Sequence, residues 1–448
     1  MFEGQAAGRD QIIVEACIGL VDLLIELGEV ERAADWVALA EASLTRLGGD
    51  TRLDAELHRA KALVARDRSD FALALTEQRE VLRLREQLLG PDHVDVADAL
   101  SELAALQTRV NHFPEAQLSI DRALAILSRE LGEQHPRYAL ALNRRGSLQH
   151  IRGDDRGALE AHARALDILA ASRGETDQAL AWIHNDRAIA YYSLAEYEQA
   201  LAELHEAREI LLAGHGSDHP KFGSLLLNIG ALEHELGRDD DALASLDAAS
   251  ALIERELGTR HASMGYVHNT RGAVFFGRGD YEAALREYRE AQTIFVATMG
   301  KDNQIVGVAL GNVAKTSHAL ATTDAQRREA LELQREALAI RRGALGDDHA
   351  ELAEHYLWIG EGELSLGRAT EAESVLERGL AASESDAGAD PERRARLRHA
   401  LARTLAEREP ARARELVRAA LDDLARAKGP SVPSLAADLR AWLREHGG

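Results

Sequence analysis

A single cysteine, Cys17, serves all 448 residues, so no internal disulfide framework can staple the chain. It lies among Ile13, Val14, Ile18 and Leu20 and reads as a small buried hydrophobe rather than a nucleophile. Such scarcity suits a reducing compartment, and a cytoplasmic location is expected. Proline is scarce too, at eight residues. A proline inside a helix removes a hydrogen bond and clashes with the preceding turn, so this chain has long stretches free to be helical. Aromatics make up 4%, which leaves core packing to alanine and leucine on closely approaching helices. No stretch reaches 18 uncharged apolar residues, and Met1-Phe2-Glu3-Gly4 has no basic leader, so neither a membrane span nor a secretory signal is expected.

Lysine numbers only five (Lys61, Lys221, Lys301, Lys315 and Lys428), and none closes a glycine-rich phosphate loop. Net charge is −22, which argues against nucleic acid or an anionic membrane as partner. The balance is uneven. Residues 391–448 carry 13 Arg and Lys against 8 Asp and Glu, a local excess of five that leaves the rest near −27. This basic end reads as a solvated helical face.

The chain does contain a repeat. Leu89-Gly90-Pro91-Asp92-His93 returns as Leu131-Gly132-Glu133-Gln134-His135, then around His219, His261 and His349. The first four of these histidines fall on one 42-residue grid, with Asp177 and Asn303 between them, and the grid reaches back to Leu47-Gly48-Gly49-Asp50-Thr51. Fixed-period self-similarity marks a solenoid, whose units bury their faces only against their neighbours. Each unit reads as two helices. In 136–173 the first runs from Pro136 to about Arg152, Gly153-Asp154-Asp155 turns the chain, and the second runs to about Ser172. Gly174 then stands where a left-handed C-cap is wanted, as do Gly132, Gly216 and Gly258.

Eleven residues after the grid points stand Ala62, Ala104, Gly146, Ala188, Gly230, Gly272, Ala314, Gly360 and Ala402. Twenty-three after come Ala74, Ala116, Ala158, Ala200, Ala242, Ala284 and Ala372. Columns of small residues let two helices pack closely. From Asn303 to His349 the interval grows to 46, and the extra four residues are expected in a lengthened turn at Ala321-Thr322-Thr323-Asp324, a register break near 321–325.

These columns resemble tetratricopeptide repeats. Leu131-Gly132-Glu133-Gln134-His135-Pro136, Leu142-Asn143-Arg144-Arg145-Gly146 and Ala158-Leu159…Ala165-Leu166 are similar to the 42-residue kinesin light chain class. The resemblance implies an all-α, right-handed superhelical solenoid of about ten helix–turn–helix units. Residues 1–9 would form an N-terminal extension, 10–433 the array and 434–448 a capping helix. The end, with Arg396-Leu397-Arg398-His399 and Leu439-Arg440-Ala441-Trp442-Leu443, resembles the repeat tails of bacterial serine/threonine kinases. The kinase motifs themselves are lacking; Asp70-Phe71 is followed by Ala72.

The sequence suggests no catalytic residue, metal site or cofactor. The ladder histidines recur one repeat apart, roughly 10 Å at the least, whereas zinc–nitrogen bonds are about 2.0–2.1 Å, so two cannot share an ion. They are expected to pack or hydrogen-bond onto the neighbouring repeat. His215 and His219 form the one local pair at helical spacing, and it falls in a turn.

In tetratricopeptide repeats the inner surface is lined by the second, fifth, ninth and twelfth positions of each first helix. Here the resemblance implies Leu140, Asn143, Ser147 and His150, then Trp182, Asn185, Ile189 and Tyr192, then Tyr266, Asn269, Ala273 and Phe276, with Leu227 and His234 between and His318 beyond. Asparagine can donate to and accept from a peptide backbone, and the aromatics supply contact area. The alternative is that the aromatics fill gaps between adjacent first helices. Ser147, Ile189 and Ala273 replace the basic residues of the family's carboxylate clamp, which puts chaperone-tail binding in doubt.

The expected function is a non-enzymatic scaffold or adaptor for a protein or peptide partner. A regulatory module beside a signalling enzyme is the first alternative, and an enzyme with an unrecognised site the second. The helix at about 10–27 is apolar around most of its circumference, with Ile12, Ile13, Val14, Ile18, Val21, Leu24 and Ile25. It is therefore a candidate surface for a second copy or another protein.

Overall fold

The recurring grid residues each start a helix. In the computed structural model, which describes residues 2–68, 70–174, 177–215, 220–347, 349–384, 390–429 and 431–447, His93, His135, Asp177, His261, Asn303 and His349 all stand at N-caps. Each side chain accepts the backbone N–H two residues on, at 2.8–3.3 Å. Asp50 and Asp390 do the same. The first N–H groups of a helix have no intrahelical acceptor, and a capping side chain supplies one. A histidine can do so only through an unprotonated Nδ1, with the ring neutral. The ladder thus caps its own helices, which corrects the expectation that it braces the neighbouring repeat. His219 and Gly216 lie outside the described residues, and with them the His215–His219 pair.

The glycines that close the second helices also differ from expectation. Gly90, Gly132, Gly174 and Gly258 have φ of 82–89° but ψ of 157–163°. This is not the left-handed helical cap. It is an extended conformation open to little but glycine, and it delivers the chain straight into the next N-cap.

The chain forms two compact units, Met1–Pro220 and Lys221–Gly448. The first contains the helix pairs α1 (Phe2–Glu26) and α2 (Val30–Leu47), α3 (Thr51–Asp67) and α4 (Phe71–Leu89), α5 (Val94–Arg109) and α6 (Phe113–Leu131), α7 (Pro136–Ile151) and α8 (Asp155–Arg173), and α9 (Gln178–Ser193) and α10 (Tyr197–His215). The second begins with α11 (Pro220–Glu235) and α12 (Asp239–Leu257), α13 (Ala262–Gly277) and α14 (Tyr281–Met299), and α15 (Gln304–Leu320) and α16 (Asp324–Leu345). It continues with α17 (Ala353–Ser365) and α18 (Ala369–Glu384), α19 (Pro391–Leu405) and α20 (Pro410–Leu424), and closes with α21 (Val432–Glu445). Within each unit, second helices pack on the first helix of the following pair, and successive first helices touch at α1–α3, α5–α7 and α7–α9 and at α15–α17 and α17–α19.

The small columns are slots for single large side chains. Sixteen residues after each glycine, the pair's own second helix lays His162 on Gly146, Leu246 on Gly230, Tyr288 on Gly272 and Leu376 on Gly360. A Cβ at those glycines would come within 2.4–2.9 Å of the opposing side chain. Packing at this density leaves no room for a methyl group without a shift.

The four extra residues do not lengthen a turn. Residues 321–323 span three positions, as 152–154 and 278–280 do, while α15 has 17 residues and α16 has 22 against 16 and 19 in α13 and α14. One of the extra residues lies in α15 and three in α16. Thr323 and Gln326 form a capping box that replaces the missing turn glycine.

Several arginines tie one repeat to the next, as Arg59 does to Asp22, Arg137 to Asp95 and Arg403 to Glu361. At the basic end the solvated-face reading fails in part: Asp423 is wholly buried between Arg394, Arg398 and Arg426. In α21, Leu439 and Trp442 are buried. In α1, Val14, Cys17, Val21 and Leu24 are buried, whereas Ile12 stays 66% and Leu23 51% exposed. Among the described residues no helix is long and apolar enough to cross a membrane.

Candidate functional site

First helices α5, α7 and α9 lie side by side in the first unit, and between them opens a recess of about 650 Å³. Its apolar wall includes Leu106, Leu148, Ile151 and Ile189, and its polar wall Arg66, Asp67, Glu102, Arg109, Arg144 and His150. His162 and Asp186 also line it. That is the size and mixture of surfaces of a ligand-binding cleft.

Beneath it runs a hydrogen-bonded chain across two repeats. Asn143 Nδ2 donates to Asp186 Oδ2 at 2.9 Å, so its Oδ1 faces His162 Nδ1 at 2.6 Å. An amide oxygen only accepts, which places the imidazole proton on Nδ1 and leaves Nε2 a bare lone pair. His162 is fully buried, and Nε2 meets no partner among the described residues. Burial, with the nearby Arg187 charge and His150, pushes this histidine down to about 4, so the ring is neutral at physiological pH. Burial also raises the Asp186 carboxyl above its ordinary range, opposed by hydrogen bonds from Asn143, Ser147 and Asn185.

The other walls are internally matched. Arg66 pairs with Asp67 at 2.9 Å, and Arg144 binds Glu102 and, at 2.9 Å, the Ser101 hydroxyl. Arg109 is exposed and lies 5.5 Å from the Phe71 ring centroid, a cation–π contact.

Five candidate residues fall in this unit. His150 lines the recess, and its Nδ1 meets Asp155 Oδ1 at 2.5 Å, bracing the turn between α7 and α8. Asn143 and Asn185 converge on Asp186. Trp182 is half-buried, while Tyr192 is 43% exposed and rests its ring against Tyr197.

The other four lie in the second unit. His234 Nδ1 meets Asp239 at 2.8 Å, repeating the His150 brace. Asn269 accepts from Asn312 at 2.9 Å. Tyr266 is exposed, with its ring edge against Phe295. Phe276 sits between Tyr281 and Trp358, and Lys315 Nζ lies 4.8 Å from its ring centroid. Gap filling between helices therefore accounts for Phe276 but not for Tyr192 or Tyr266.

Sequence reasoning missed Asp186 and His162. The column of the second gives no clean signal, since it holds Ile120, Leu204, Leu246 and Leu376 but also Gln78 and Tyr288. It also missed a second histidine column, in which His58, His184 and His268 each meet a glutamate nineteen residues on, Glu77, Glu203 and Glu287. Among the described residues no three His, Cys, Asp or Glu side chains come together as a metal site.

Residues 53–127 and 221–297 match one tetratricopeptide-repeat family model and residues 319–351 another. These segments are tetratricopeptide repeats. Among solved structures, the apo form of the quorum sensor NprR from B. thuringiensis is 16% identical, with 81% of this chain and 99% of that one covered and a TM-score of 0.56. A signal-transduction ATPase with a tetratricopeptide-repeat sensor from Pyrococcus horikoshii is 13% identical, with 82% and 52% covered and a TM-score of 0.54. A putative kinesin light chain repeat protein from Podosopora anserina is 17% identical, with 46% and 98% covered and a TM-score of 0.40. Among curated proteins none matches the chain. The likeness to the first two is one of fold, the stacked helix pairs of a tetratricopeptide solenoid.

Proposed function

We propose that the chain is a non-enzymatic, cytoplasmic protein-interaction scaffold that holds a peptide or an extended protein segment against its first helices. In the first unit the docking surface is the recess along α5, α7 and α9, bordered by Asn143, His150, Trp182, Asn185 and Tyr192. In the second unit His234, Tyr266 and Asn269 mark a corresponding surface. The observation that carries this reading is the recess itself, where exposed Ile151 and Ile189 stand beside buried polar groups. An extended segment gains apolar contact from the first and register from the second. A sensor or regulatory module is a variant of the same reading, favoured by the fold shared with a quorum sensor and with a repeat sensor.

The purified chain is tested on an array of immobilised hexapeptides, each mixture fixed at one central residue and randomised around it. Selective retention of some mixtures is expected, with loss of at least ten-fold for the Ile151→Glu, Ile189→Glu variant at unchanged helicity. Both side chains are exposed, so the change spares the core. Uniform failure to bind, or binding indifferent to the double change, overturns the proposal.

A further inference from the structure

The three carboxylates lining the recess of the first unit are not equivalent. Asp67 and Glu102 have arginine partners, while Asp186 makes no ion pair among the described residues. Its hydrogen-bond partners are the neutral Asn143, Ser147 and Asn185. Beside it, His162 contributes a second acceptor, an Nε2 lone pair with no partner among the described residues. The polar groups acting on His162 do not fill the gap, because Arg187 is held by Glu203 and His150 meets Asp155. Packing does not call for a histidine here either. Leucine occupies the same slot at Leu204, Leu246 and Leu376. A half-buried carboxylate without a counter-charge and a buried acceptor without a donor are each unfavourable, and both line this recess.

We propose that this floor receives the cationic head of a lysine or arginine side chain from the docked segment. The ammonium or guanidinium donates to the Asp186 carboxylate and to His162 Nε2, while its methylene stem lies along Leu106, Leu148 and Ile189. Charge-assisted hydrogen bonds in a desolvated site are stronger than neutral ones, and a lysine or arginine stem is suited to an apolar wall. Arg109 does not reverse this preference: it is exposed at the rim, where water and salt screen it, whereas Asp186 is half-buried. The net charge of −22 favours approach of a basic segment.

The inference rests on the docking surface proposed above, and the same array separates the two. The probes are the hexapeptide mixtures centred on lysine, on arginine, on glutamate and on norleucine, the uncharged isostere of lysine. Lysine- and arginine-centred mixtures are expected to bind at least ten-fold more tightly than norleucine, with glutamate weakest. Asp186→Asn should bring binding of the lysine- and arginine-centred mixtures down to the norleucine level. His162→Leu, with a side chain the column already uses, should weaken it several-fold and serves as the test if Asp186→Asn loses helicity. Binding without basic preference, or a preference that survives both changes, sinks the cation site and leaves the docking surface standing. No binding by any mixture removes both.

Discussion

Lowering the pH from 7.5 to 5 should destabilise the first unit through His162, and the His162→Leu variant should be largely spared. The imidazole is buried against Gly146 with one nitrogen committed to Asn143 and the other facing no donor, so protonation has no acceptor to meet it. Its folded pKa is about 4, against about 6.5 in an unfolded chain. The folded value is the depressed one, so below pH 6.5 the unfolded state takes up the proton first. Stability from this group is complete above about pH 6.5, falls as pH drops through the interval, and is gone near pH 4. At pH 5 the gap already traversed is about 1.5 units, or about 2 kcal/mol at 1.36 kcal/mol per unit. Urea titrations at pH 7.5 and 5 give the difference for each chain, and hydrogen exchange of α7 and α8 amides locates it. Titration of the other carboxylates is common to both chains and cancels. Equal pH losses for wild type and His162→Leu would refute the buried, neutral assignment. His355 in the second unit, also pushed down to about 4 by burial, should keep its own pH loss in that variant.

Three further outcomes follow from packing and charge. Gly230→Leu places its Cβ 2.9 Å from Leu246 Cγ and 3.1 Å from the Ala242 carbonyl, so thermal unfolding should show a loss of about 1–3 kcal/mol; an unchanged midpoint contradicts the slot. Asp423→Ala strips the buried carboxylate from Arg394, Arg398 and Arg426 and should cost about 3–5 kcal/mol in denaturant titration, with a loss below 1 kcal/mol arguing that water already screens the cluster. If α1 mediates self-association, light scattering should find a dimer that Ile12→Asp, Leu23→Asp dissociates, because both side chains are exposed. A monomer at tens of micromolar in the unaltered chain eliminates the homodimer.

The candidate site was legible as a face, not as a chemistry. Helical spacing and the likeness to the repeat family together put Asn143, His150 and Asn185 on one face of the first helices, and of these His150 lines the recess. Neither could reveal that the two asparagines converge on Asp186, because that network crosses from one repeat to the next. Nor could spacing along one helix show that Phe276 is enclosed by Tyr281, Trp358 and Lys315, two of which belong to later repeats.

What the sequence determined by itself is everything local and periodic. Helix pairs, the N-caps at His93, His135, Asp177 and Asn303, and the positive-φ glycines follow from short-range backbone chemistry repeated at a fixed interval. Tertiary structure alone decided which large side chain fills each small slot, that the four inserted residues lengthen helices rather than a turn, and that Asp423 is buried among arginines. It also decided that His162 and Asp186 meet under one recess. Those outcomes depend on contacts between helices, and a residue's partner across such a contact is set by how two faces dock, which no spacing within either helix records.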